Sequence, residues 1–487
     1  MNLNQTLQEK YPHLEVSVLK LSEVQKDNES KRIDSEYFKK EYLENEELLK
    51  KFNLFYFESN NVVSGPFGST LTSESYRKDG ICFIRVQDIK GGFFVEKESL
   101  VKISESDNNK IKHSQLRYGD FVISKVGNSI GYVAEIPEDI NICNISENNI
   151  GLKTIGLETY TKKYILVFLN SKYGQLQIWR RISGNAQPKI NVADFTKIKI
   201  PIFPMEFQLE IQNLVKDSHK ALEESKELYK KAEEILYLEL GLDPKNPLQS
   251  LLDSKIDHSI KSLNISIRTL KESFLKTGRL DSEYYQKKYE INEKIIMNKK
   301  YTVLDNLVSI TKSIEPGSNL YKNKGIPFIR VANLTQYGLS EGDVFLDEKD
   351  FFPQYLQILY PKKDTILFSK DGSVGIAYCV KEDKEVITSG AILHLNIKDK
   401  ENILPEYLTL FLNSIFVKLQ AQRDCGGSII SHWRIEDIKK VLVAILDIKI
   451  QEKIAKYIQE SFNLRKKSKQ LLDNAKIKVE DQIQGKT

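Results

Sequence analysis

The chain has 487 residues, 40% hydrophobic and 29% charged, with 72 Lys and Arg against 67 Asp and Glu for a net charge of +5. That length allows two to four domains, each able to bury its own core, and the balance is that of an ordinary soluble globular protein. A membrane partner is not expected, since no apolar run approaches the eighteen or more residues a membrane helix needs; the weak positive charge permits nucleic-acid binding without requiring it. Four cysteines, Cys82, Cys143, Cys379 and Cys425, form no Cys-x-x-Cys pair and do not recur at matching positions. They point to free thiols in a reducing compartment rather than to zinc or a disulfide framework. Met1–Lys10 shows no basic-then-apolar signal, so a cytoplasmic location is expected.

In chain order, a lead-in over 13–34 contains Val16-Ser-Val-Leu-Lys-Leu-Ser22, whose alternation predicts a half-buried strand. Arg32-Ile-Asp-Ser-Glu-Tyr-Phe38 follows, then stretches rich in Tyr, Phe, Val and Ile punctuated by Gly, Asn, Asp and Ser. Phe83-Ile-Arg-Val86 and Asp120-Phe-Val-Ile-Ser124 read as strands, 162–179 as helical, 182–189 as a glycine-containing loop, and Phe195–Ile202 as a further strand. A long charged helix comes next. Then the pattern returns. Arg279-Leu-Asp-Ser-Glu-Tyr-Tyr285 repeats the first signature 247 positions later, and a lead-in with Leu263-Asn-Ile-Ser-Ile-Arg268 precedes it. Gly80-Ile-Cys-Phe-Ile-Arg-Val86 recurs as Gly325-Ile-Pro-Phe-Ile-Arg-Val331 after 245 positions, and Leu169-Asn-Ser171 as Leu412-Asn-Ser414 after 243. Asp364–Ser369 matches the strand at 120–124, and 405–422 matches the helical stretch. A slowly drifting offset means two copies of one unit, not a short-period solenoid. Frames that match with contents that differ suggest two similar but non-identical contacts.

Each copy ends in a long helix. Ile211, Val215, Ser218, Leu222, Ser225, Tyr229, Ala232 and Leu236 fall at alternating four- and three-residue steps, a coiled-coil seam. Adding 243 gives Ile454, Ile458, Ser461, Arg465, Ser468, Leu472, Ala475 and Val479, with Arg465 a defect that neighbouring Leu464 can cover. Two unrelated surface helices are the plainer alternative, but the shared Ser and Ala positions favour helices packed closely on each other. The expected fold class is therefore α/β (α+β): two mixed domains in tandem, each followed by a long helix, the helices paired as an antiparallel coiled coil. The expected boundaries are 1–204, 205–241, 242–447 and 448–487. A 30-residue helix is ~45 Å long. Heads held apart by such a rod could sit on DNA about one turn, ~34–36 Å, or somewhat more apart.

On these repeats the sequence resembles a type I restriction-modification DNA specificity subunit over nearly its whole length. Ser124-Lys-x-Gly127, Ser369-Lys-x-Gly372, Gln208-Leu-Glu-Ile211 and Gln451-Glu-Lys-Ile454 add to the resemblance. It implies two target-recognition domains reading an asymmetric bipartite double-stranded DNA target, no catalytic activity and no bound cofactor. It also implies two docked adenine-methyltransferase (M) subunits, which would bring S-adenosylmethionine, and often two motor-nuclease (R) subunits.

The residues themselves agree with a binding role. There is no Asn/Asp-Pro-Pro-aromatic loop (Asp243-Pro-Lys-Asn-Pro247 lacks the aromatic), no GxxxxGK[ST] phosphate loop and no HExxH. The repeated Asp34/Glu36 and Asp281/Glu283 suit capping or turns better than acid–base work. DNA contact is expected from Gly-, Ser- and Lys-bearing loops, in which backbone N–H groups and cations hold phosphates and Arg, Asn and Gln match base edges. In the first copy the candidates are Ser69, Ser124, Lys125, Asn128, Arg180, Arg181, Asn185, Gln187 and Lys189. In the second they are Lys312, Ser369, Lys370, Ser373, Arg423, Ser428, His432 and Arg434. The plainer alternative is that these segments are hairpin turns. Arg85 and Arg330, alike in both copies, are expected to brace the fold or the methyltransferase contact, because matching residues should be scaffold and base readout should lie where the copies differ.

Overall fold

The computed structural model describes residues 3–26, 28, 31–89, 92–127, 129–184, 188–254, 267–340, 342–425 and 431–486. The chain divides into two compact units, Met1–Ala221 with Lys467–Thr487, and Leu222–Lys466.

In the first unit, helix α1 (Lys40–Leu49) follows the Arg32–Phe38 signature. Strands β1 (Val62–Ser64), β2 (Ile81–Ile84), β3 (Phe93–Phe94), β4 (Val101–Ile103), β5 (Phe121–Ser124), β6 (Val133–Glu135), β7 (Cys143–Ile145) and β8 (Asn149–Leu152) lead to helices α2 (Thr159–Asn170) and α3 (Lys172–Arg180). The strands form one sheet in the order β1-β8-β5-β6-β3 and a smaller one in the order β4-β2-β7. Strand β5 is buried throughout because both its faces are covered. Successive side chains point to opposite faces. Phe121 and Ile123 therefore pack against Tyr164, Phe168 and Ile178 of the helices, while Val122 joins Ile84, Cys143 and Ile145 of the small sheet. The long helix α4 (Met205–Glu239) adds Ile211 and Val215 to the helical side of this core.

The second unit repeats the plan. It contains α5 (Lys287–Met297), β9 (Val308–Lys312), β10 (Tyr321–Lys322), β11 (Ile326–Ile329), β12 (Phe345–Leu346), β13 (Ile366–Ser369), β14 (Ala377–Cys379), β15 (Ile387–Thr388) and β16 (Ile392–Ile397). Helices α6 (Pro405–Asn413), α7 (Ile415–Asp424) and α8 (Ile448–Gln484) follow. The sheets run β9-β16-β13-β14 and β10-β12-β11-β15. Ile366 and Phe368 face the helices, and Leu367 faces Ile329, Tyr378 and Ile392.

The strings that recur in the sequence are joints of this plan. Asn170 at the end of α2 pairs its amide with the main chain of Val133 at the start of β6, donating to its carbonyl at 2.9 Å and accepting from its N–H at 3.4 Å. Asn413 does the same to Ala377, at 2.8 and 3.0 Å. Ser171 and Ser414 then break the helix, each hydroxyl donating at 2.6 Å to the carbonyl three residues back. Gly80 and Gly325 sit at φ +128° and +137°, and a Cβ on either would come within 2.3 Å of a carbonyl oxygen on the neighbouring strand. Arg85 pairs with the fully buried Asp88 inside the fold, whereas Arg330 pairs with Asp343 at the surface.

Some expected elements differ. Val16–Lys20 is irregular and Leu21–Gln25 is helical; among the described residues no strand pairs with them, and alternation makes a strand only where a ladder partner exists. Most of its second-copy counterpart, Leu263–Ser266, lies outside the described residues. The strands of the Phe-Ile-Arg-Val blocks stop at Ile84 and Ile329, and the helical stretches are each two helices broken at the serine. Within 195–202 only Ile200–Pro201 is strand, paired with Leu54–Phe55, because Val192–Phe195 forms a helical turn. All four cysteines are unbridged, and burial pushes the Cys379 thiol up to about 12.

The two long helices pair antiparallel, and each unit holds part of the seam. In the first, the Ser218 hydroxyl lies 2.8 Å from that of Ser468 and 3.0 Å from its carbonyl oxygen, and Ile211 and Val215 pack with Ala475 and Val479. In the second, Ser225 meets Ser461 at 3.0 Å, and Tyr229, Ala232 and Leu236 pack with Ile454 and Ile458. Leu222, Leu472 and Arg465 are only half-buried. Arg465, the defect in the repeat, lies over the Tyr337 ring, 3.7 Å from its centroid, and Tyr337 in turn meets Tyr229 edge-on. A hydroxyl that reaches a main-chain carbonyl across the seam leaves no room for a larger side chain. Ser218→Leu should therefore destabilise the chain by about 1–3 kcal/mol through overpacking, and Ser218→Ala by about 1 kcal/mol or less through the lost hydrogen bond. Denaturant midpoints measure both; equal effects would mean that the helices are not closely apposed there.

Candidate nucleic-acid interface

In the first unit β1 and β5 run antiparallel to β8 between them, so the ends of β1 and β5 and the start of β8 share one sheet edge. Four loops gather there and are stitched together by main-chain hydrogen bonds. Gly65 N–H donates to the Asn149 carbonyl (3.3 Å), Lys125 N–H to that of Asn148 (2.8 Å), and Ile190 N–H to that of Lys125 (3.2 Å). Val126 forms a β-bridge with Lys189. A Cβ at Gly65 would lie 1.9 Å from the Ser146 carbonyl oxygen, so only glycine permits this approach.

The second unit gathers the equivalent loops at the edge shared by β9, β13 and β16. Lys370 N–H donates to the Ala391 carbonyl, Trp433 N–H to that of Lys370 (both 2.8 Å), and Gly372 N–H to that of Ser431 (2.9 Å). The Asp371 carboxylate meets His432 Nδ1 at 2.9 Å. One clip is reversed between the copies. The Glu147 carboxylate, on the loop before β8, accepts from Gly68 N–H at 2.5 Å. The Glu315 carboxylate, on the loop after β9, accepts from Gly390 N–H at 2.9 Å. No repeated letter marks either glutamate, so sequence comparison missed both.

The loops come together, but not every named side chain is presented. Lys189, Lys312, Ser373, His432 and Arg434 are exposed, and Lys125 and Lys370 are half-buried. Lys125 Nζ donates to the Glu147 carbonyl (3.3 Å), Lys370 pairs with Asp371, and Arg434 pairs with Asp437 (2.7 Å). Ser124 and Ser369 are fully buried. Their hydroxyls donate within their own loops, to the carbonyls of Val126 (3.2 Å) and Ser373 (2.6 Å). They shape turns. Asn128, Asn185, Gln187, Ser428 and the Ser69 side chain lie outside the described residues. Beside the first edge a shallow cleft is lined by Phe67, Tyr76, Arg85, Gln87, Glu147 and Asn148. Beside the second, the lining includes Lys312, Lys370, Trp433, Arg434, Asp437 and Lys440. Among the described residues no group of three or more His, Cys, Asp or Glu could hold a metal ion, and no helix is long and apolar enough to cross a membrane.

The family model for the type I restriction modification DNA specificity domain matches residues 68–234 and again 298–474. The chain belongs to this family. Among solved structures, the type I S subunit from M. genitalium is 14% identical over 89% of this chain and 95% of that one, with a TM-score of 0.37. The HsdS subunit from Thermoanaerobacter tengcongensis is 13% identical over 90% and 96%, with a TM-score of 0.26. Superpositions this loose add nothing to the family match. A comparison with curated proteins gives no match.

In this specificity subunit Arg180, Arg181 and Arg423 hold the fold rather than face outward. Arg180 is 6% exposed, 2.8 Å from the Glu46 carboxylate, with its guanidinium 4.3 Å from the Tyr37 ring centroid. Arg181, 4% exposed, donates to the carbonyls of Gln177 (2.9 Å) and Lys197 (3.3 Å). Arg423 pairs with Glu293 and Asp424 and lies 5.5 Å from the Tyr284 ring centroid. Tyr37 and Tyr284 are the tyrosines of the repeated signature, and Arg423 follows Arg180 by 243 positions, the helix offset. The copies therefore build one cluster twice. Burial raises the Glu46 carboxyl, but Arg180 and Lys199 (2.9 Å) outweigh it and bring it down to about 2. A carboxyl lowered in the folded state contributes stability above its unfolded value, near 4.3, and loses it as pH falls towards 2. Glu46→Gln takes the shared carboxylate from three buried cations, Arg180, Arg181 and Lys199, and should cost about 3–5 kcal/mol at neutral pH. Stability measured from pH 7 to pH 2 should also lose its Glu46-dependent fall below pH 4.3. An unchanged acid profile would place Glu46 outside the cluster's energetics.

Proposed function

We propose that the chain is the non-catalytic DNA-reading subunit of a type I complex, with target-recognition domains over 1–204 and 242–447 and spacer helices over 205–241 and 448–487. Each domain docks one half of an asymmetric bipartite target on its four-loop edge. The observation that carries this reading is the gathering of those loops at equivalent sheet edges in both units, on matching scaffolds but with different exposed side chains. Lys125 and Lys189 in one domain, and Lys312, Lys370 and Arg434 in the other, supply cations for phosphates, and His432 supplies a ring nitrogen for hydrogen bonding. Asn128, Asn185, Gln187, Ser69, Ser373 and Ser428 supply hydrogen-bonding groups. Arg180, Arg181, Arg423, Ser124 and Ser369 support the loops instead. Two adenine-methyltransferase subunits would dock on the chain, bring S-adenosylmethionine and flip the target base; motor-nuclease subunits would complete a restricting complex.

The competing reading is a twofold assembly scaffold that binds DNA without sequence preference and loses it steeply in salt. Methylome sequencing of cells expressing this chain with its cognate methyltransferase separates the two. One asymmetric gapped motif carrying N6-methyladenine in both halves is expected. An assembled complex that adds no motif would leave the scaffold reading standing.

A further inference from the structure

Phe67 is 84% exposed, on a loop that is otherwise anchored. Pro66 before it is buried, Gly65 lies against the Ser146 carbonyl, and Gly68 N–H is held by the Glu147 carboxylate. Thr70 N–H closes the turn on the Phe67 carbonyl at 2.8 Å. An exposed phenyl ring on a fixed loop is costly in water, and a rigid mounting presents it to a partner with little ordering cost on contact. In the cleft beside it the Glu147 carboxylate is taken up by Gly68 N–H and the Arg85 guanidinium by Asp88, while Gln87 and Asn148 bring amide groups that match base edges better than they match an apolar protein groove. The second copy reads Ser313-Ile-Glu-Pro-Gly-Ser318 against Ser64-Gly-Pro-Phe-Gly-Ser69, with Pro316 where Phe67 stands. The aromatic belongs to one head alone.

We infer that Phe67 is a specificity-determining residue that packs on bases, rather than phosphates, of the half-site read by the first domain; this rests on the DNA-reading function proposed above. Apolar side chains contact base edges or wedge at base steps, and both contacts depend on sequence. The test uses the full chain assembled with its methyltransferase. Binding is measured for wild type, Phe67→Ala and Phe67→Leu on the target and on targets with each recognised base pair changed in turn. Phe67→Ala should lower affinity for the intact target about tenfold or more. One position, or two adjacent ones, in a single half-site should then become nearly indifferent, while substitutions in the other half cost what they did before. Phe67→Leu should restore part of the discrimination at that position. Unchanged base-pair costs in Phe67→Ala, or an equal loss on every sequence, would overturn the inference. A wild-type complex with no sequence preference would instead sink the DNA-reading function itself.

Discussion

A guanidinium taken out of water is tolerable only where a carboxylate and further partners meet it, and the first recognition domain is arranged around that condition at Arg180. Arg180 sits at the end of α3, where the chain turns into the 182–190 loop. Glu46 from α1 and the Tyr37 ring hold it, and its Nε donates to the Tyr37 carbonyl at 3.0 Å. Arg32 of the same signature donates to the Ile182 carbonyl at 2.7 Å while paired with Asp34. The signature thus fixes the root of a candidate contact loop. Arg423, Glu293 and Tyr284 do the same where the second domain's corresponding loop begins.

From those roots outward, each unit separates what is common from what differs. The asparagine at the end of α2 or α6, the serine break and the strand glycine recur because main-chain groups need the same partners in both copies. Loop tips carry no such obligation. The carboxylate clip shows the freedom this leaves, since Glu147 and Glu315 close the same gap from opposite loops. A fold with fixed joints and replaceable tips can change what it contacts without losing its core.

The duplication, the mixed class and the helix seam were legible because each rests on spacing, which sequence shows directly. Even the defect at Arg465 was visible, although its stacking on Tyr337 was not. The candidate site was legible only as loops. A string such as Ser124-Lys-Val-Gly shows which groups are available, not whether they are consumed, and the Ser124 and Ser369 hydroxyls are consumed inside their own turns. Arg180 and Arg423 look like DNA contacts by residue type, yet their shared offset marks them as scaffold by the rule that sets Arg85 and Arg330 apart from base readout. The lead-in at 16–22 misled for a different reason: alternation is a property of the segment, and a strand needs a neighbour.

The most direct measurement is site-specific photocrosslinking of the assembled complex to its target DNA. A crosslinking side chain would be placed at Lys189 or His432 on the gathered-loop edges, or at Ile155 or Lys398 just past the far ends of β8 and β16. Crosslinks from Lys189 and His432, each to a different half of the target, and none from Ile155 or Lys398 are expected. Crosslinks from the far ends instead, or equally from both, would contradict the assignment of the four-loop edges as the surfaces that read DNA.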